Sequence, residues 1–228
     1  MKKTAFFLFA LLNLAFCEPY VRFDTDSVFS QPNENGGRSF NLGAVFNGID
    51  RLYPYARFYP LAFDSDNDKI IAKRDLEIFL NFFETLKNEK IIDNLDEKDK
   101  NYFNLQEARL FVMAHNFDMG GFAQKADEAY QKLLSNDKDG QIRTEFAEFL
   151  GNSTSIVRAE TEFKTAISQG SDRAYYGLSI AYLMQGKREE SIDSMQKYIE
   201  KFPNDDEAKK MLEIIKTAEI KKEIVEPK

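Results

Sequence analysis

Residues 172–205 read D-R-A-Y-Y-G-L-S-I-A-Y-L-M-Q-G-K-R-E-E-S-I-D-S-M-Q-K-Y-I-E-K-F-P-N-D. Two apolar stripes run through this stretch. Tyr175, Leu178 and Tyr182 fall three and four residues apart, as do Ser191, Met195 and Tyr198, the spacing that gathers side chains on one face of a helix. Gly186 lies between the stripes, where a helix ends on a left-handed residue, and Pro203 stops the second stripe. The stretch predicts a helix, a tight turn and a second helix.

The same arrangement occurs twice upstream. Met113, Phe146 and Leu178 share one column, Ala126, Ala159 and Ser191 a second, and Tyr130, Phe163 and Met195 a third, spaced in each case by 33 and then 32 residues. A fixed period of that length means supersecondary units stacked side by side, each covering an apolar flank that its neighbour cannot bury alone. The first unit, roughly 107–139, adds Leu110, Ala114, Phe117, Gly121 and Leu133, with Lys138 in place of a closing proline. The second, roughly 140–171, keeps Ala147, Leu150 and Ala166, with Arg143 at the opening aromatic position and Thr154 at the turn. Ala114, Ala147 and Ser179 are expected to face Ala126, Ala159 and Ser191 where the two helices of a unit cross closely.

With its aromatic and leucine stripe, turn glycine, second stripe and exit proline, 172–205 resembles the tetratricopeptide repeat. The resemblance implies an all-α fold, an α-solenoid of antiparallel helix pairs with three repeats over 101–205. Residues 206–228 then supply a capping helix and tail, the helix running over Asp206–Glu223 with Ala208, Met211, Leu212, Ile215 and Ala218 on one side. Residues 40–100 form a helical N-terminal segment that could be a degenerate opening repeat. Within it Ile70–Leu86 is amphipathic through Leu76, Phe79, Leu80 and Phe83, Phe40–Leu52 reads as a shorter helix, and Tyr53–Asp68, with Pro54 and Pro60, reads as irregular. The family's first helices line a concave groove that holds peptides. Side chains one step off the packing stripe would face it: Phe111, His115 and Met119 in the first unit, Thr144, Glu148 and Asn152 in the second, Tyr176, Ile180 and Met184 in the third.

Residues 1–17 read as a secretion signal, with Lys2 and Lys3 before the apolar run Ala5–Phe16. Two processing routes follow. Ala15 and Cys17 suit ordinary cleavage before Glu18, while Leu14-Ala15-Phe16-Cys17 suits a lipoprotein box in which Cys17 is acylated, although Phe16 stands where such boxes carry a small residue. Either route predicts a periplasmic or envelope location, with membrane attachment only if Cys17 is lipidated. Cys17 is the single cysteine, so no internal disulfide is available. Residues 18–39 read as a flexible N-terminal arm, polar over 30–39, with a short strand at Tyr20–Phe23. If Cys17 is acylated, the 30–39 stretch would be the tether.

The formal charge of −7, without basic clusters, fits neither nucleic acid, whose phosphates need a positive surface, nor anionic lipid. No nucleophile motif, phosphate loop or zinc signature appears, and His115 is the single histidine. The series Asp64, Asp66, Asp68 lacks the mid-loop glycine and closing glutamate of a calcium loop and reads as the start of the Ile70 helix. Neither a cofactor nor a metal is expected. The chain reads as a non-enzymatic adaptor for envelope proteins, and the resemblance implies service in outer-membrane assembly, cell division or a flagellar motor. A spacer or homo-oligomerising element with a self-covered groove is the alternative, and an envelope hydrolase the remote one.

Overall fold

A computed structural model describes residues 19–29, 34, 39–153 and 155–217. The expected signal at 1–17, Cys17, most of the 30–39 joint, Thr154 and the end of the capping helix beyond Thr217 lie outside the described residues. The chain divides into two compact units between Leu133 and Leu134. Regular structure among the described residues is helical, with one isolated antiparallel bridge, Phe29 to Phe40.

In the first unit, α1 spans Leu42–Ala56, α2 Asp66–Asn88, α3 Glu97–Asn116 and α4 Phe122–Leu133. Each of the first three starts on a side-chain cap that satisfies an otherwise orphaned N–H. Asn41 Oδ1 accepts from Ala44 N, Ser65 Oγ from Asp68 N, and Asp96 Oδ1 from Asp99 N. Asp66 and Asp68 occupy the first turn of α2, where carboxylates complement the helix dipole, while the cap itself is Ser65 rather than an aspartate of the series. Pro54 does not end α1. It forfeits one ladder bond near the C-terminus, while buried Leu52, Tyr53 and Ala56 hold the last turns against the core; irregular chain begins only at Arg57. The turn between α3 and α4 uses Gly121 at φ 82°.

Residues 19–29 are not a free arm, and Tyr20–Phe23 is not a strand. The segment is a strap with a single 3-10 turn at Thr25–Val28, and Tyr20, Phe23 and Val28 are buried in the core of the unit. The Phe23 ring meets Phe79 of α2 edge-on at 4.7 Å and passes over Gly48 of α1. A β-carbon at Gly48 would lie 2.7 Å from both rings. Tyr20 sets its edge to Tyr55 and Phe63 at 5.6 and 5.9 Å. Two hydrogen bonds end on one oxygen of buried Asp75 in α2: Tyr20 Oη donates at 2.9 Å and Phe23 N at 2.7 Å. The part of the expected N-terminal arm that is described, 19–29, is thus packed into the unit.

A second polar cluster fixes α3 against α1. Asp50 of α1 accepts from Tyr102 Oη at 2.8 Å, Gln106 Nε2 at 2.7 Å and Arg109 at 3.1 Å. The three donors stand on one face of α3 by their spacing. Burial, then the bond to Asp50, raises the Tyr102 pKa, so this phenol remains a donor. Asn116 Nδ2 closes the same seam on Ala56 O at 2.9 Å.

In the second unit, α5 is Gln141–Asn152, α6 Ile156–Ser168, α7 Ala174–Met184, α8 Arg188–Lys201 and α9 Asp206–Thr217. Each helix packs on the next, and α5 also reaches α7, the contact pattern of stacked helix pairs. The small-residue crossings form as the columns require. Ala147, Ala159, Ser179 and Ser191 are fully buried, and Ser179 Oγ donates to Ser191 O at 2.7 Å across the α7–α8 crossing. Gly186 takes φ 74° at the turn. Consecutive pairs interlock where Phe163 of α6 seats on Gly177 of α7.

The entry to α5 has no proline. Buried Asp137 receives Ile142 N at 3.3 Å and Arg143 N at 2.8 Å, capping the helix from four residues upstream. Gly140 at φ 74° lies against Ala166 of α6, whose carbonyl oxygen would be 2.5 Å from a β-carbon there. Arg143 then spans to α6 through Glu162 and to Gln169 Oε1 at 2.9 Å. A polar clasp thus replaces the aromatic that opens the third repeat.

Candidate protein-binding surfaces

The third-unit residues do not form an open apolar stripe. Ile180 is fully buried, which removes it from any groove in this chain. Tyr176 meets Tyr198 of α8 edge-on at 5.2 Å, and Tyr198 in turn lies 4.7 Å from Phe202. Tyr198 Oη donates to Asp205 Oδ2 at 3.0 Å, while Asp205 Oδ1 caps α9 by accepting from Ala208 N at 2.9 Å. Burial and then the negative field of Asp205 raise the Tyr176 pKa; burial and the Asp205 bond push Tyr198 to about 12. Tyr176 therefore serves the joint between α7, α8 and the start of α9. Met184, at the end of α7, remains half-buried.

Among the second-unit residues, Thr144 is buried and also leaves the groove set. Its Oγ1 donates to Gly140 O at 2.7 Å and meets Ser171 Oγ at 2.8 Å. Glu148 and Asn152 are half-buried. The Glu148 charge adds a small contribution to the field that raises the Tyr198 pKa. Of the residues expected in the groove, Glu148, Asn152 and Met184 are half-buried in the second unit.

Phe111, His115 and Met119 fall in the first unit and are all half-buried. Met119 packs on the core cluster. His115 sits in the last turn of α3; burial lowers its pKa, and Asp118 opposes that shift. Phe111 lines a cleft of about 310 Å³ between α2, α3 and α4. Leu80, Phe83, Leu110 and Phe122 complete its apolar floor, and Glu84, Lys87, Asn88, Glu107 and Lys125 stand around it. Lys87 pairs with Glu107 at 2.7 Å, which neutralises one side. Lys125 holds its ammonium 4.8 Å from the Phe122 ring and 5.8 Å from that of Phe111, a cation–π arrangement. Among the described residues it makes no ion pair.

The sequence reading missed this cleft except for Phe111. Leu80 and Phe83 stand on the packing stripe of α2 and also floor the cleft. Phe122 and Lys125, three apart on α4, carried the signal of an aromatic with a cation above it. Chemically the cleft can desolvate one large apolar side chain and offer one unpaired ammonium. The described residues hold no group of three or more acidic, histidine or cysteine side chains placed to bind a metal. None of their helices is long and apolar enough to cross a membrane.

Residues 173–205 match the family model described as tetratricopeptide repeat. No curated protein and no solved structure matches the chain. The matched span covers α7, its Gly186 turn, α8 and the exit through Pro203, the helix pair whose small-residue crossing, turn and aromatic joint are described above. Residues 173–205 are thus a segment matched as a tetratricopeptide repeat, set in an all-α chain of stacked helix pairs.

Proposed function

We propose that this chain is a non-enzymatic adaptor of the cell envelope that docks a protein partner within a larger assembly. The tetratricopeptide repeat is a protein–protein interaction module, and the charge and motif content of the chain favour that role over catalysis. The signal-like stretch Met1–Cys17 supports a periplasmic setting, either released or held by an acylated Cys17. Outer-membrane assembly, cell division and a flagellar motor are the assemblies such a protein would serve.

The observation that carries the reading is the cleft at Phe111. It combines an apolar floor, one side neutralised by Lys87 and Glu107, and an unpaired Lys125 over two rings. That chemistry fits a partner segment with one aromatic or branched aliphatic anchor followed by a carboxylate, since the anchor desolvates against the floor and the carboxylate meets the ammonium. A photo-crosslinking residue at Asn88, exposed at the cleft's edge, in cells making the full-length chain, tests it and leaves Lys125 in place. A discrete adduct from position 88, absent from the exposed control position Lys210 on α9, is expected in the envelope fraction. Adducts from both positions, or from neither, would exclude the cleft as the docking site.

A further inference from the structure

The groove between α1 and α2 is built to receive an extended segment, and the strap fills it. Gly48 omits a side chain in mid-helix, where glycine is a poor helix former, and the Phe23 ring occupies the space so made. Tyr55 and Phe63 present the walls for Tyr20. Asp75, 1% exposed, supplies one oxygen to the two donors that come from the strap, Tyr20 Oη and Phe23 N.

The strap is held differently from the helices it lies on. Its polar attachments to α2 are those two bonds, and at its far end Asn41 N donates to Val28 O at 2.8 Å. The other Asp75 oxygen, Oδ1, is buried with no hydrogen-bond partner. Asp75 is therefore matched by the strap's two donors, and lifting the strap breaks no helical ladder.

We propose that the α1–α2 groove is a receptor site for an extended segment with two aromatic side chains three residues apart, and that it exchanges its own Tyr20–Phe23 for the same segment of a second copy. The occupant whose fit is seen is this segment, and every copy carries one. Exchange keeps all the contacts above, because an identical element from a second copy meets the same partners, the circumstance in which elements swap between protomers. The inference is independent of the cleft at Phe111, which lies on other faces of the unit.

The full chain is unfolded in urea and refolded at low and at high protein concentration, with sedimentation velocity reading the species. A synthetic peptide of residues 19–29 is the competitor. The expected result is a dimer whose fraction rises with refolding concentration and falls several-fold with the peptide, but not with a peptide carrying Tyr20→Ala and Phe23→Ala. A chain monomeric at every concentration overturns the proposal, as does a dimer indifferent to the peptide. Native-state hydrogen exchange gives a second decision that needs no refolding. The Phe23 amide should exchange at least tenfold faster than the buried amides of α1 and α2; equal protection would mean that the strap leaves only when the whole unit unfolds, and would end the idea.

Discussion

The outer end of the Phe163 ring on α6 lies against Gly177 in α7, so close that a β-carbon on residue 177 would stand 2.2 Å from Cζ. Phe163 is fully buried, and its ring cannot move aside without displacing its neighbours, because protein interiors are packed at crystal density. Gly177→Ala gains helix propensity of about 1 kcal/mol and loses more to overpacking, which costs about 1–3 kcal/mol and at times more. The net effect should be a lower urea midpoint. Phe163→Leu in the Gly177→Ala background should recover part of the loss, and strict additivity of the two changes would contradict the contact.

Two other glycines separate strain from crowding. Gly140 and Gly186 share φ 74°, so alanine at either pays the left-handed cost of about 1–2 kcal/mol. Around Gly186 nothing stands within 4 Å of a new β-carbon, whereas at Gly140 the Ala166 backbone oxygen would be 2.5 Å away. Gly140→Ala should therefore destabilise the second unit clearly more than Gly186→Ala in parallel denaturant titrations. Equal losses would show that the Gly140–Ala166 approach relaxes freely.

These glycines mark the limit of what the sequence discloses. Helix pairs were legible because Leu178, Met195 and their counterparts repeat at the helical period, and Gly186 was legible because it follows a periodic run. Gly48 and Gly177 sit inside helices, where a glycine reads only as a weak point; the aromatic ring that requires each comes from another segment. The strap was illegible for a related reason, since Tyr20 and Phe23 are too few to set a period. Ile180 failed as a groove residue because α7 is apolar on nearly all sides. A helix of that kind is covered by neighbours all round, and no stripe on it can be assigned to a partner.

Asp50 tests the seam between α1 and α3. Gln106, with no exposed surface, donates its amide to Asp50 Oδ1 and has no donor for its own Oε1. Asp50→Ala would strand the buried amide and release Tyr102 and Arg109, a loss of about 1–3 kcal/mol by the cost of an unmatched buried polar group. The exposed pair Lys197–Asp193, one turn apart on α8, gives the contrast: Asp193→Ala should change stability by about 0.5 kcal/mol or less. Thermal melts of the two variants beside the parent chain check both values, and similar losses would refute the ranking.

Glu160 gives the second unit a defined acid limit. It stands on α6 and accepts from Lys164 at 2.5 Å, Lys187 at 2.8 Å and Gln185 at 2.7 Å, drawing the end of α7 and the following turn onto α6. Burial alone would raise its pKa, but the three donors outweigh that and hold the carboxyl down at about 2 against an ordinary 4.5. A carboxyl depressed on folding contributes stability that is fully present above about 4.5 and disappears as the pH falls towards 2. Glu160→Gln keeps an acceptor but no charge, so it should cost on the order of 1 kcal/mol near neutrality and progressively less through that acid window. Urea titrations of the parent and Glu160→Gln chains from pH 7 to pH 2.5 should therefore converge on acidification. A difference that stayed constant across the window would show that the carboxylate charge contributes nothing to the α6–α7 joint.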